Sequence, residues 1–384
     1  MFAGQPETLE LAGGDEAIES LLSRVPDRPA VFLIETRDGA PYLSRTTLLR
    51  CRLRRLLRPD SAASRWLNLR EVAARVRYWL AGSGLEASLI LYELAAQHFP
   101  EDYRVRIKLR PPPYLKIVLS NAFPRSQITT RLGSAQALYY GPFPTRAAAE
   151  NFRNKFLDLF QMRRCEEDLE PAPSHPGCIY GEMNLCLRPC QQAVTPEEYR
   201  SEVERVLQFL RTQGRSLLDV LLAARERLSQ ECNFEEAARQ HRRIQKIEET
   251  MRLRGELAAD IERLCGVAVT QSVEPGVVVL WFVVRGCWQP PVRLDCRPQA
   301  GAGQPLDQRL RDLVANLAPE RLPSKRREEH LALLARWFYS SAREGEWLSF
   351  DSLEQIPYRR LVRAISRVAS QAGPVATTSS DAAR

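Results

Sequence analysis

The chain has 384 residues, of which 44% are apolar and 27% charged. That composition suits two or three globular domains and excludes a mainly disordered or collagen-like protein. Its 55 basic and 47 acidic residues leave a formal charge of +8, which permits an anionic partner without requiring one. The longest apolar run, Val277–Val284, is far short of the ~20 residues of a membrane helix and reads as a buried strand. The opening segment MFAGQPETLELAGGDEAIES has no basic stretch followed by an apolar core. No secretory signal and no membrane partner are therefore expected, and a cytoplasmic location is.

In chain order, residues 1–25 read as a leader with a short helix. Ala30–Glu35 is rich in strand formers, Asp38-Gly39 is a hairpin turn signal, and Pro41–Leu43 is the returning strand. Thr46 or Thr47 is placed to cap a helix through an acid-free, arginine-rich stretch holding Arg45, Arg50, Arg52, Arg54, Arg55 and Arg58. Clustered arginine is the footprint of a phosphate-binding surface, and equally of a solvated helix face. Val76–Leu80 reads as a third strand, and Glu86–His98 has a helical period. Residues 104–145 alternate as strands, with a turn at Tyr139–Pro144 and then a helix over 145–161.

Residues 165–190 lack periodicity and hold Cys165, Cys178, Cys186 and Cys190, spaced C-x12-C-x7-C-x3-C. Four thiols in a loop short of apolar residues suit a tetrahedral zinc or an iron–sulfur cluster; four buried thiols are the plainer alternative. His175 lies between the first two and is able to replace one of them at zinc. The other five cysteines read as small core residues. From Thr195-Pro-Glu-Glu198 the pattern turns helical, with a capping signature and three apolar faces: Tyr199 to Leu210, Leu217 to Leu228, and Phe234 to Ile247, the last including Ala237, Ala238 and His241. Two or three helices packed as a hairpin are expected. Mixed α/β structure returns over 260–365, with helices at Leu310–Leu317 and Glu328–Ser341, and the Ala/Ser/Thr-rich end reads as a disordered tail.

These motifs together resemble the N-terminal portion of the bacterial UvrC excinuclease family and of its short relative Cho. Pro29-Ala-Val-Phe32 and Tyr42-Leu-Ser-Arg45 stand where that family has its GIY-YIG nuclease signature. Leu49-Arg-Cys-Arg-Leu53 matches its next helix, Tyr140-Gly-Pro-Phe-Pro144 a linker motif, and Asn233-Phe-Glu-Glu-Ala-Ala-Arg239 the core of the UVR helical hairpin. The resemblance covers roughly residues 26–290. It implies an α+β multidomain fold: a small GIY-YIG-like α/β domain (26–103) after the leader, a Cys-rich metal-bound linker with β-strands (104–193), a UVR-like helical hairpin (194–255), a C-terminal α/β region (256–368) and a tail (369–384).

The resemblance further implies a [4Fe-4S] cluster on the four cysteines, with zinc the alternative, and DNA and a UvrB-like helicase as partners. The helicase would bind through Phe234, Glu235, Ala238 and Arg242. The family's second tyrosine and its arginine are present as Tyr42 and Arg52. Its first tyrosine is Phe32, its lysine is Arg45, and its metal-binding glutamate aligns without gaps on Leu91. Leucine offers no oxygen to Mg²⁺ or Mn²⁺, and Glu93 lies about 200° further around a helix. The expectation is a UvrC-like repair protein that binds DNA and its partner but has a broken nuclease. The alternatives are a Cho-like endonuclease whose ion sits on Glu93 or Glu86, and an interaction protein that uses the hairpin outside repair. In the UVR motif, Arg242 stands where the family often has an acid. After residue 290 no acidic triad and no Gly-containing hairpin motif is identifiable.

Overall fold

The computed structural model describes residues 2–12, 14–58, 67–133, 136–297, 303–319 and 322–370. The first unit runs β1 (Glu7–Glu10), α1 (Asp15–Ser23), β2 (Ala30–Thr36), β3 (Tyr42–Thr46), α2 (Leu49–Leu56), β4 (Ala73–Leu80), α3 (Gly84–His98) and a single turn, α4 (Tyr103–Arg106). Its antiparallel sheet has the order β1-β4-β2-β3. The segment expected as a leader is part of this sheet: β1 pairs β4, and Leu11, Ile18, Leu22 and Val25 pack with Phe32, Ile34 and Leu53. The alternation of β2 divides its side chains between two layers. Phe32 and Ile34 face α1 and α2, while Val31 and Leu33 face α3.

The middle unit comprises β5 (Tyr114–Val118), β6 (Arg125–Thr129), β7 (Ala137–Gly141), α5 (Arg146–Leu157), the short α6 (Ile179–Glu182) and α7 (Pro196–Arg211). Tyr139 and Tyr140, expected in a turn, are strand residues paired with β5. Thr195 and Glu198 form the expected capping box at the start of α7. Tyr199, Val203, Val206 and Leu210 of α7 bury against Phe152 and Phe156 of α5, so α7 belongs to this core and not to the hairpin. The hairpin itself is α8 (Arg215–Gln230) and α9 (Phe234–Leu253), and β8 (Ala259–Asp260) then returns to pair with β7.

The last unit contains β9 (Cys265–Gln271), β10 (Val277–Val284), β11 (Cys287–Trp288), β12 (Val292–Asp295), α10 (Leu306–Ala315), α11 (Ser324–Phe338), β13 (Glu346–Phe350) and α12 (Tyr358–Ser370). Its sheet is antiparallel, with β10 central. The unbroken apolar run of β10 follows from cover on both faces. Val278, Leu280 and Phe282 meet α10 and α12; Val279, Trp281 and Val283 meet α11. Residues 371–384, most of the expected tail, lie outside the described residues.

The units expected as separate modules share one core. Leu85, Leu89 and Tyr92 of α3, Tyr114 and Tyr139 of the middle sheet, and Trp281, Trp288, Leu331 and Leu334 of the last unit form a single apolar cluster. The buried carboxylate of Glu329 on α11 sits within that interface. It accepts hydrogen bonds from Tyr92 (2.6 Å), Tyr103 (2.5 Å) and Arg104 (2.6 Å). Next to it, the buried His330 accepts at Nδ1 from the Trp288 backbone N–H at 3.0 Å. Gly82 lies flush on the β9–β10 turn: a Cβ there would come within 2.3 Å of the Ser272 carbonyl carbon.

Burial acts to raise the Glu329 pKa, but the donors outweigh it and hold the carboxyl below its usual range. Its contribution is therefore full above the ordinary carboxylate range and is lost as pH falls through the lowered folded value. Burial also lowers the His330 pKa to about 4, so the unfolded chain takes up that proton first and stability falls as pH drops from about 6.5 toward 4. Removing one partner of a buried charged network costs about 3–5 kcal/mol. Glu329→Ala should lower the unfolding free energy from urea titration by an amount of that order, and His330→Asn should flatten its pH dependence between pH 6.5 and 4.

Candidate nucleic-acid interface and metal centre

β2 and β3 are paired with Ile34 opposite Tyr42 and Phe32 opposite Ser44. Phe32 and Tyr42 therefore share a face, with ring centroids 6.1 Å apart. Arg52, one turn into α2, donates from Nη2 to the Tyr42 hydroxyl at 3.2 Å. Asp27, not a threonine, accepts the Cys51 N–H at the start of α2 (3.2 Å); Thr46 instead closes a local turn on the Leu48 N–H. By strand alternation Arg45 lies on the opposite face, where it donates to Ser88 of α3 at 2.9 Å.

The arginine cluster divides. Arg45, Arg52 and Arg55 line one cleft with the first turn of α3. Arg54 pairs with Glu19 of α1 at 2.5 Å, and Arg54 and Arg58 share a second groove with Asp15, Glu16 and Glu19. Arg50, in the first turn of α2, is half-buried. The expected six-residue surface is thus split between two differently charged grooves on either side of α2.

Leu91 is half-buried and packs against the apolar layer of Val31, Leu33, Trp79 and Ile90 beneath the sheet. A divalent ion does not fit this position, since it requires oxygen ligands. The nearby carboxylates are engaged elsewhere. Glu93 accepts the backbone N–H groups of Phe2 and Ala3 (2.5 and 2.7 Å), and its pKa is lowered although burial alone would raise it. Glu86 is buried at the start of α3. There it accepts the Gly82 N–H at 2.7 Å while its own N–H is capped by Ser83. Burial raises its pKa, with the Gly82 N–H and Arg293 opposing.

The four grouped cysteines come together in the middle unit. Cys186 and Cys190 are buried, Cys165 is half-buried and Cys178 exposed. The Cys186 thiol is pushed up to about 11, first by burial and then by Cys165, Cys178 and Cys190, against the Arg188 N–H that donates to it at 3.4 Å. Arg163 donates to Cys165 Sγ, also at 3.4 Å. His175 is turned to its own loop, its Nδ1 accepting the Gly177 N–H. Among the described residues, no three or more His, Cys, Asp or Glu side chains are arranged to hold a single metal ion. The donor set, four thiols within electrostatic reach and N–H donors on two sulfurs, is chemically compatible with an iron–sulfur cluster or a zinc ion alike.

The α8–α9 hairpin stands out from the body. Its base is pinned by Leu217, Leu218, Leu221, Ile247 and Met251 against the middle core. Asn233 caps α9 by accepting the Glu236 N–H at 3.3 Å. The buried face of α9 is Ala237, Gln240, Ile244, Ile247 and Thr250. Phe234, Ala238 and His241, expected on the inner face, are exposed together with Glu235 and Arg242; Phe234 is 66% exposed. Sequence reasoning missed Ser88, Tyr92 and Glu329. Tyr92 occupied an apolar helical position, and Glu329 carried no signal because its partners lie more than 220 residues away.

Comparison with known proteins places these features. Residues 112–209 match the family model described as the UvrC/Cho excinuclease middle domain, a span running from just before β5 into α7. The UvrABC system protein C of Moorella thermoacetica is 28% identical over 267 residues, covering 69% of this chain and 43% of that protein. That of Lachnospira eligens is 23% identical over 278 residues (70% and 44%), and that of Trichormus variabilis 28% over 240 (61% and 37%). The chain thus spans less than half the length of these relatives. No solved structure matches. The chain is UvrC/Cho-like, and among the described residues no helix is long and apolar enough to cross a membrane.

If Glu86 and Glu93 serve the fold, Glu86→Ala and Glu93→Ala should each lower stability by about 1–2 kcal/mol. Adding Mg²⁺ should leave the thermal midpoint of the wild type unchanged, because a ligand that binds the native state would raise it.

Proposed function

We propose that this UvrC/Cho-like chain serves nucleotide excision repair as a protein that binds DNA and a UvrB-like helicase and makes no incision itself. One observation carries the reading: at the position of the family's metal-binding glutamate, the half-buried Leu91 packs against an apolar layer, and both neighbouring carboxylates are spent on backbone N–H groups. Phosphodiester hydrolysis by this fold depends on an ion that stabilises the developing charge. Tyr42 and Arg52 keep their contact, so the arginine face outlasts the chemistry it once accompanied. DNA is then held through phosphate contacts, and binding should fall steeply with salt.

The exposed tip of the hairpin, Phe234 with Glu235, Ala238 and Arg242, is the surface offered to the helicase. An aromatic side chain that the fold does not bury is available as a binding anchor. A [4Fe-4S] cluster on Cys165, Cys178, Cys186 and Cys190 fits the thiol set, and when bound it would cross-link the linker and neutralise its thiolates. Arg163 and the Arg188 N–H then orient and stabilise two of the sulfurs. Iron and sulfide analysis of the purified protein reads this directly.

The test is a nicking assay on a lesion-bearing duplex with Mg²⁺ or Mn²⁺ and the helicase loaded. No cut is expected, alongside salt-sensitive binding. Incision that disappears in Tyr42→Phe would instead establish a Cho-like endonuclease. Phe234→Ala should weaken capture of the helicase about tenfold or more, while changing stability by no more than about 0.5 kcal/mol.

A further inference from the structure

The cleft that takes Arg45, Arg52 and Arg55 has a second wall from the far end of the chain. Its volume is about 710 Å³. One side is the β3–α2 connection and the start of α3; the other is Leu333, Arg336 and Trp337 of α11 and the loop Ser340 to Glu344. Four guanidiniums and one carboxylate line it.

Arg336 is half-buried and donates to the backbone carbonyls of Ile107 (3.2 Å) and Lys108 (2.6 Å). These partners are neutral and do not cancel its charge. Burial first, and then Arg45, lower its pKa, so the two cations repel one another across the cleft. The cleft's carboxylate, Glu344, accepts the Gly84 N–H at 3.1 Å. It thereby satisfies one of the amides left open at the start of α3, a position that favours an anion. Trp337 holds that loop by donating from Nε1 to the Glu344 carbonyl at 3.2 Å. The rest of the lining mixes apolar side chains, among them Pro29, Leu333 and the largely buried Trp337, with hydroxyl groups such as Thr46, Thr47 and Ser340.

We propose that this cleft receives one nucleotide unit of a single-stranded or unstacked DNA segment, its phosphate on Arg45, Arg52 and Arg55 and its base on the apolar side, with Glu344 displaced from Gly84. The inference rests on the DNA-binding reading and adds the strand state and a contribution from the last unit. The volume decides against a duplex, which is too wide to enter a space of this size between two packed units. Apolar and aromatic surface beside arginine is the composition that holds single strands. Glu344 acts as an internal competitor: its carboxylate occupies the amide that the incoming phosphate needs.

Fluorescence anisotropy of a labelled ten-nucleotide single strand and of its duplex, at two salt concentrations, tests this. Glu344 is exposed, so Glu344→Gln should fold normally, and single-strand binding should tighten about fivefold, the net worth of one ordinary hydrogen bond. Glu354→Gln removes the same charge from a different cavity and should change binding little. Adding Arg45→Ala to Glu344→Gln should cancel the gain. Equal effects of Glu344→Gln and Glu354→Gln, or no effect of either while the wild type still binds DNA, would overturn the cleft and leave the DNA reading standing. If the wild type binds neither strand form, the DNA reading falls and the cleft falls with it.

Discussion

The buried carboxylate of Glu329 is the constraint on which the rest of the architecture depends. It draws Tyr92 of α3, and Tyr103 and Arg104 of the following turn, onto α11. A buried charge is tolerable only when fully paired, so these donors must stay in place and the two units cannot separate without exposing apolar surface and breaking the set. Around that point Trp281, Trp288 and Leu331 pack against Leu85 and Leu89. What reads in sequence as a string of modules is one body with a projecting hairpin.

That docking explains the state of α3. Its face bearing Leu85, Leu89 and Tyr92 is buried against the last unit, and its face bearing Ala87, Ile90 and Leu94 is buried against the first sheet, with Leu91 half-buried at the edge. A helix enclosed on both sides has little use for a solvated carboxylate in the middle. Leucine at position 91 is what packing there selects, and a glutamate would need an ion or a donor to be tolerated. The same docking creates the cleft, because it brings Trp337, Arg336 and Glu344 to the mouth where Arg45 and Arg52 already lie.

Much of this is legible in the residues, for local reasons. The Asp38-Gly39 turn, the alternation of Ala30–Glu35, the Thr195 capping box and the apolar run of β10 each specify their element within a few positions. The UvrC/Cho likeness rests on motifs in order, and the match over 112–209 bears it out. Long-range placement escapes. Nothing near Leu11 or Val25 says that the first residues complete a sheet, and α7 has the same period as the hairpin helices yet packs elsewhere. Periodicity puts Phe234 and Ala238 on the inner face of α9 wrongly, because it fixes which residues align but not which stripe a tertiary neighbour covers. The arginines read as one surface, since charge runs carry no information about the acids of α1 that face part of them.

On the proposed reading, the nuclease position around Leu91 holds no divalent ion while the arginine face still takes DNA. Manganese binding, followed by electron paramagnetic resonance with the protein bound to a short DNA duplex, measures it most directly. The account predicts no Mn²⁺ held by the protein–DNA complex beyond what the DNA binds alone. One Mn²⁺ per chain, lost on substituting Glu93→Gln or Glu86→Gln, would contradict it and return the site to catalysis.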